Sequence, residues 1–281
     1  MPAIADHCID QSEEFYLSAG VSRLHDLPFM NPSQVKQNDI VFVKVDAIYE
    51  GYFQKEVLPF IDNEFTLISG IGSYGIGLNG DRSYLELVES PKVKKWFCTN
   101  PPKDNSGKII PLPIGFEERE REGGDQKLLK EIWNNHKTWK DKKDVFYLPY
   151  HTIGNNPIRD NHIDYLKTLD FVYVESEKLP FAEYMKRMDD YKFIICLEGS
   201  GFDTHRNYEA LLVESVPIMI DSSIRGVYEL DNLPSIFVSD WRELNGRAFT
   251  DAMNSNYTFS FVSDFLTVDH HVERIKKYAK S

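Results

Sequence analysis

The chain has 281 residues and a formal net charge of −12. Hydrophobic residues make up 42% and aromatics 13%, enough to build a core, which excludes intrinsic disorder. A chain this acidic is a poor general binder of nucleic acid, so an anionic ligand must be met by a locally built site.

The three cysteines, Cys8, Cys98 and Cys196, are far apart and form no CxxC. That argues against a disulfide scaffold or a cysteine zinc site and fits a reducing compartment. Cys98 and Cys196 sit in apolar runs and read as buried thiols. Residues 1–14 show no basic stretch followed by an apolar run, so no signal peptide is expected. No run approaches about 18 apolar residues, so no membrane span is expected either. The expectation is a soluble, cytoplasmic protein.

Ile40 to Val45 is β-branched and apolar, and reads as the first clear strand. Phe53, Val57, Leu58 and Ile61 recur at helical spacing, which predicts a helix over 52–61. A strand at Phe65 to Ile68 leads into a glycine-rich loop over 69–80. A charged helix at 84–89, a strand at Val93 to Cys98 and a proline-bounded strand at Ile109 to Ile114 follow. Residues 116–144 are dense in charge, with a helix near 126–139, and the domain junction is placed there. Alternation then restarts. Strands are predicted at 144–148, 171–174, 193–197, 217–220 and 235–238, with helices at 161–169, 181–190 and 204–215 between them. A last helix is predicted over 263–280. Apolar strands alternating with helices give an α/β fold with largely parallel sheets covered on both faces.

The stretch from Glu198 to Glu209 follows an apolar strand and opens a helix. Gly199 and Gly201 let the backbone turn sharply, and Asp203 or Thr204 can cap the helix. A helix N-terminus offers free N–H groups and partial positive charge. Arg206, in the first turn, adds a forked cation suited to phosphate. Glu209, three residues on, lies on the same face and can accept bonds from the two hydroxyls of a ribose. The plain alternative is an ordinary glycine turn with Arg206 and Glu209 as a surface ion pair. In an open parallel sheet ligands gather beyond the carboxyl ends of the strands, so the loop 152–159 should face the same crevice. Its Arg159 is a second phosphate contact or a solvated arginine. Ser69 to Gly75 has the same placement in the first half, but no Gly-Lys-Ser/Thr follows and it is no Walker loop. The histidines form no metal set. His270 and His271 are adjacent on a helix and read as pointing apart. His151 reads as structural or solvated, and His205 as a candidate because of its loop. No D-x-D pair is present to hold a divalent ion.

The run from Phe193 to Leu211, followed by Val216-Pro217-Ile218-Met219, resembles the signature of exostosin-type (family 47) glycosyltransferases. These show an apolar strand, a glycine loop, a Thr/Ser-x-Arg step, a Glu-Ala-Leu helix and a Pro-Ile-Val strand. Lys94 to Asn100 with Ile110 to Gly115, and Asn155 to Arg159, are similar to two further blocks of that family. The likeness spans roughly residues 65–240.

It implies a GT-B fold, two Rossmann-like domains facing a central cleft. The implied layout is an acceptor-side domain over 1–116, a charged helical junction over 117–143, a nucleotide-sugar domain over 144–262 and a C-terminal helix over 263–281. It implies an inverting transfer from a UDP-sugar to a hydroxyl of an oligosaccharide or glycoprotein glycan, with no further cofactor and no metal. Among its members the chain looks like a short virus-encoded xylosyltransferase, with UDP-xylose as donor and the host cytosol as location.

By position, Arg206 binds the diphosphate and Glu209 the ribose. Thr152, Asn156, Arg159, Glu198, Gly199, Ser200, Gly201, Thr204 and His205 complete the donor set. Gly70, Gly72 and Tyr74 face the acceptor. Relatives carry an aspartate where this chain has Ser73, and a serine is no base at neutral pH without help. Asp46, at the end of the first clear strand, is the other candidate base. Ser73 keeps open a rival reading, a nucleotide-sugar or glycan-binding protein that has lost catalysis. A Rossmann dehydrogenase is disfavoured by the missing GxGxxG.

Overall fold

The structure, a computed structural model, describes residues 7–9, 31–49, 51–70, 82, 84–102, 106–117, 119, 121–151 and 157–279. The chain divides into two units. The first is Met1–Pro113 with Val268–Ser281, and the second is Ile114–Thr267. Each is an α/β unit on an all-parallel five-stranded sheet, as the alternation of strands and helices predicts.

In the first unit β1 (His7–Ile9), β2 (Ile40–Lys44), β3 (Phe65–Gly70), β4 (Val93–Thr99) and β5 (Ile109–Leu112) lie side by side in chain order. Successive residues of a strand point to opposite faces, and the core divides accordingly. Val41, Val43, Leu67, Trp96 and Cys98 face the short helix α1 (Val45–Tyr49), the segment 53–61 and α2 (Leu85–Glu89). Phe42, Ile68 and Phe97 face the other way, against Ile275, Tyr278 and Ala279 of the chain's last helix.

The helix expected over 52–61 is not a regular one. Phe53–Val57 is a single π turn, closed by the Leu58 N–H on the Phe53 carbonyl, and Leu58–Phe60 is a 3-10 turn. Pro59 has no N–H to give to an α-helical bond, so the helix tightens and stops there.

In the second unit the strands are β6 (Lys143–Leu148), β7 (Val172–Val174), β8 (Tyr191–Ile195), β9 (Val216–Ile220) and β10 (Ile236–Val238). Their order across the sheet is β10-β9-β8-β6-β7. The order therefore reverses between β6 and β8, as in a doubly wound sheet. Helix α3 (Gln126–Asn135) precedes β6, with the Asp125 side chain accepting from Lys127 N and Leu128 N. Of the crossovers, α4 (Pro157–Leu166) lies on one face through Ile163 and Leu166. On the other lie α5 (Phe181–Met188), α6 (His205–Leu212) and α7 (Arg225–Leu230). Phe146 and Leu148 point to the first face and Tyr147 to the second. Helix α8 (Gly246–Asn254) adds to the α4 face, and α9 (Val262–Phe265) closes the unit.

Two segments group differently from the layout that the sequence suggests. The charged stretch 117–143 belongs to the second unit, where Leu129, Ile132 and Trp133 of α3 join the α5–α7 core. The last helix, α10 (Val268–Ala279), groups with the first unit, whose open sheet face supplies the apolar partner for Ile275 and Ala279. Cys98 and Cys196 are buried free thiols. Burial pushes Cys98 up to about 12 and Cys196 higher still, so neither is a nucleophile at neutral pH. No described helix is long and apolar enough to cross a membrane.

Candidate functional site

The carboxyl ends of β6 and β8, the two strands where the order reverses, open into a pocket of about 630 Å³ within the second unit. That is where an open α/β sheet collects ligands, and the volume suits a small molecule. After β6 the chain contributes Tyr150 and His151, and after β8 it contributes Leu197, Glu198 and Gly199. Arg159 comes from α4, the segment 175–180 from the end of β7, and Phe181 and Tyr184 from α5. Thr204, His205, Arg206 and Glu209 come from the start of α6. Of the residues that the sequence singles out for the donor, Arg159, Glu198, Gly199, Thr204, His205, Arg206 and Glu209 line this one pocket. Ser200 and Gly201 carry the loop round without lining it. Thr152 and Asn156 lie outside the described residues, as do Gly72, Ser73 and Tyr74.

Arg206 is held at two of its three nitrogens. Its Nε donates to Tyr184 Oη at 3.2 Å and its Nη1 to His151 Nε2 at 2.6 Å. Nη2 makes no hydrogen bond to a described residue. The His151 tautomer follows: its Nδ1–H donates to Pro149 O at 2.7 Å, which leaves Nε2 as the acceptor. Burial, and then the Arg206 charge, depress His151 to about 3, so the ring is neutral at any physiological pH. Tyr184 Oη in turn donates to Glu209 Oε2 at 2.7 Å. The tyrosine thus accepts from the cation and donates to the carboxylate, joining Arg206 and Glu209, which the sequence places one helical turn apart. They are not the surface ion pair of the alternative reading, because Glu209 is buried. Burial raises the Glu209 carboxyl, and Arg206 and the Tyr184 hydroxyl pull it back. Burial and the Glu209 charge push the Tyr184 phenol well up, so it stays a neutral donor.

The helix start is built by other groups than expected. Thr204 occupies the N-cap position of α6, but its hydroxyl bonds Asn207 Oδ1 at 3.0 Å and no side chain caps the first turn. Asp203 does not cap either. It turns inward and is buried, accepting from Ile114 N at 2.8 Å, Tyr208 Oη at 2.7 Å and Asn207 Nδ2 at 3.0 Å. Burial raises its carboxyl to about 6 against those three donors. His205 Nδ1 donates to Gly115 O at 2.7 Å. Asp203 and His205 therefore tie the glycine loop to residues 114–115, and the α6 N-terminus is left open toward the pocket. Glu198 is aimed from below, with Oε2 accepting from the buried Trp241 Nε1 at 3.2 Å. On the far wall Gly123 lies against the Glu117 side chain, where an added Cβ would stand 2.9 Å from Oε2 and 3.2 Å from the Glu117 Cβ.

Sequence reasoning missed His151 and Tyr184. His151 stands three residues past β6, at the carboxyl end of a strand beside the sheet reversal, and that placement was the available signal. Tyr184 carried none, since one aromatic on the apolar face of α5 reads as core. The first-unit candidates are less informative. Asp46 lies in α1 with Lys44 Nζ 3.2 Å from its Oδ2, and Gly70 ends β3, buried against Thr99. His270 and His271 do not point apart, because their rings meet edge to face at 5.1 Å, and His271 accepts from Arg274 at 2.9 Å. Among the described residues, no three His, Cys, Asp or Glu side chains are grouped to hold a metal ion.

No family model matches the sequence, and no curated protein matches it. Solved structures resemble the fold at a distance. The GtfA/B complex aligns with a TM-score of 0.41 and 9% identity over 88% of this chain, which spans only 59% of that one. UDP-GlcNAc 2-epimerase from Methanocaldococcus jannaschii aligns at 0.36 and 12% identity, over 86% of this chain and 76% of that one. The catalytic domain of starch synthase IV from Arabidopsis thaliana, bound to ADP and acarbose, aligns at 0.38 and 9% identity, over 87% and 73%. At these scores the functional reading rests on the pocket's own residues.

Proposed function

We propose that this chain is an inverting glycosyltransferase of GT-B type, related to the exostosin-type enzymes. It would move a sugar, with xylose the first choice, from UDP to a glycan hydroxyl. The observation that carries the reading is the Arg206 guanidinium. Tyr184 and His151 hold it from two sides at the open end of α6, and its Nη2 remains for a ligand. A preorganised cation at a helix N-terminus is what a leaving diphosphate needs. Glu209, one turn along and fixed by the same tyrosine, suits the ribose. Two parallel α/β units in one chain fit a GT-B protein, as does a pocket of ligand size in the second of them.

In this reading the acceptor oxygen attacks the anomeric carbon as the bond from that carbon to the β-phosphate oxygen breaks, and UDP departs. Arg206, Arg159 and the first N–H groups of α6 take up the charge that develops on the diphosphate, without a metal ion. The acceptor proton passes to a base, for which Asp46 and a group at position 73 are the candidates. The serine at 73 favours a second reading, a nucleotide-sugar-binding protein without turnover.

The deciding experiment presents UDP-xylose and UDP-glucose to the purified chain with a mixed oligosaccharide acceptor. UDP binding is read by calorimetry, and transfer by released UDP and acceptor mass. Transfer supports the enzyme, and binding without transfer supports the second reading. A folded chain that binds neither UDP nor UDP-sugar overturns both.

A further inference from the structure

The pocket's wall is far more acidic than a diphosphate site requires. Glu117, Glu122, Glu175, Glu177, Glu198 and Glu209 all line it, against three cations, Arg159, Lys178 and Arg206. Glu175 is paired with Arg187 at 3.1 Å and Glu117 with Arg121 at 3.1 Å, while Glu209 is tied into the Tyr184 chain. No lysine or arginine forms an ion pair with Glu122, Glu177 or Glu198 among the described residues. If Arg206 and Arg159 answer the two phosphates, Lys178 alone is left to oppose three carboxylates.

We propose that this pocket selects a donor whose transferred sugar is uncharged, and that Glu198 determines that specificity by reading the sugar's hydroxyls. The inference rests on the UDP-sugar reading above. Glu198 stands directly before Gly199, on the loop that leads from β8 to Arg206, so it neighbours the place where the diphosphate ends and the sugar begins. Its carboxylate is not free to swing. Trp241 Nε1, on a fully buried ring, donates to Oε2 at 3.2 Å. His162 Nδ1 stands 3.6 Å from Oε1, beyond a hydrogen bond, so that oxygen keeps its capacity for a ligand. A carboxylate fixed in this way accepts strong, charge-assisted bonds from hydroxyl groups. A uronic acid, a sugar phosphate or a sugar sulfate would instead bring a like charge into a wall with no cation to spare. Such repulsion discriminates more sharply than a missing contact.

The test is calorimetry on the full chain with UDP, UDP-glucose and UDP-glucuronate, the last two differing only in the group at C6. UDP-glucose should bind at least ~10-fold more tightly than UDP-glucuronate, the effect of one opposed charge pair after solvent screening. In Glu198→Gln, which keeps the size and an acceptor for Trp241, the ratio should fall to ~3-fold or less. Equal binding of the two donors by the unaltered chain overturns the inference without recourse to any variant. A ratio that survives in folded Glu198→Gln removes Glu198 from the role. If UDP binds but the donors are not distinguished, only this inference falls. If UDP itself does not bind, the donor reading falls and takes this inference with it.

Discussion

Arg206→Lys separates the geometry of the site from its charge. The lysine ammonium keeps the positive charge at the start of α6. Its three N–H donors radiate from a single nitrogen, which cannot stand at once where Nε meets Tyr184 Oη, where Nη1 meets His151 Nε2 and where Nη2 is left for the diphosphate. At least one charge-assisted bond to phosphate should be lost, about 1.5–3 kcal/mol, or a weakening of roughly 10–150-fold in the UDP dissociation constant. Arg206→Ala should lose no less, and it leaves Glu209 without its nearest cation, so the folded state of that variant is checked by its thermal midpoint before binding is compared. Because His151 is depressed to about 3 and stays neutral, the loss should be the same at pH 6 and pH 8. Isothermal titration of UDP at both pH values is the assay. If folded Arg206→Lys binds UDP as the parent does, the clasp is structural and charge alone serves. If Arg206→Ala also binds normally, the diphosphate is not here.

Glu209→Gln should weaken UDP and UDP-sugar by similar factors, roughly tenfold for one lost charge-assisted bond, and should abolish the preference for UDP over 2′-deoxy-UDP. Normal UDP binding with lost turnover would make Glu209 catalytic instead. Asp203→Asn tests the buried carboxylate through stability. Its folded value of about 6 exceeds the ordinary 3.8, so the native state holds the proton longer than the unfolded chain and stability falls as pH rises between the two. The variant should therefore gain about 2 kcal/mol relative to the parent from pH 3.8 to pH 6, and a pH-independent difference in denaturant titrations would show that the carboxyl is not raised. For the base, Asp46→Asn should lower turnover about 10²–10⁴-fold while sparing UDP binding if Asp46 takes the acceptor proton. A fully active Asp46→Asn protein passes the role to position 73, where Ser73→Asp should then raise turnover.

Of the described strands, β2 to β10 were legible because each is built round a short apolar run, whereas the three-residue β1 (His7–Ile9) was too short to give one. Phe146 beside Tyr147 shows why such runs read clearly. Both are buried on opposite faces of one strand, so burial on both sides leaves no polar residue to blur the signal. The loop and helix from Glu198 to Glu209 were legible for the opposite reason, since their glycines and charges interrupt such a run. The order of the strands was not. Nothing in the residues of β6 says that β8, two strands later, lies beside it, and that adjacency brings His151 to Arg206. Asp203 reads as a cap from its neighbours alone, because its inward turn to Tyr208 and Ile114 depends in part on a residue 89 positions away. The irregular turns at 53–60 carry the apolar spacing of a helix, and only Pro59 signals that it is broken.

The return of α10 to the first unit has a consequence for how the protein is made. As the chain leaves the ribosome, residues 40–112 emerge early, yet Phe42, Ile68 and Phe97 on one face of their sheet meet Ile275, Tyr278 and Ala279 only after the whole second unit has been synthesised. At about 5–20 residues per second, that face waits on the order of ten to thirty seconds with its aromatic side chains in water. The second unit suffers no such delay, because all its core partners lie between residues 114 and 267. The later-synthesised unit can therefore complete its core first, and this face of the first unit is covered only when the chain's last described helix arrives.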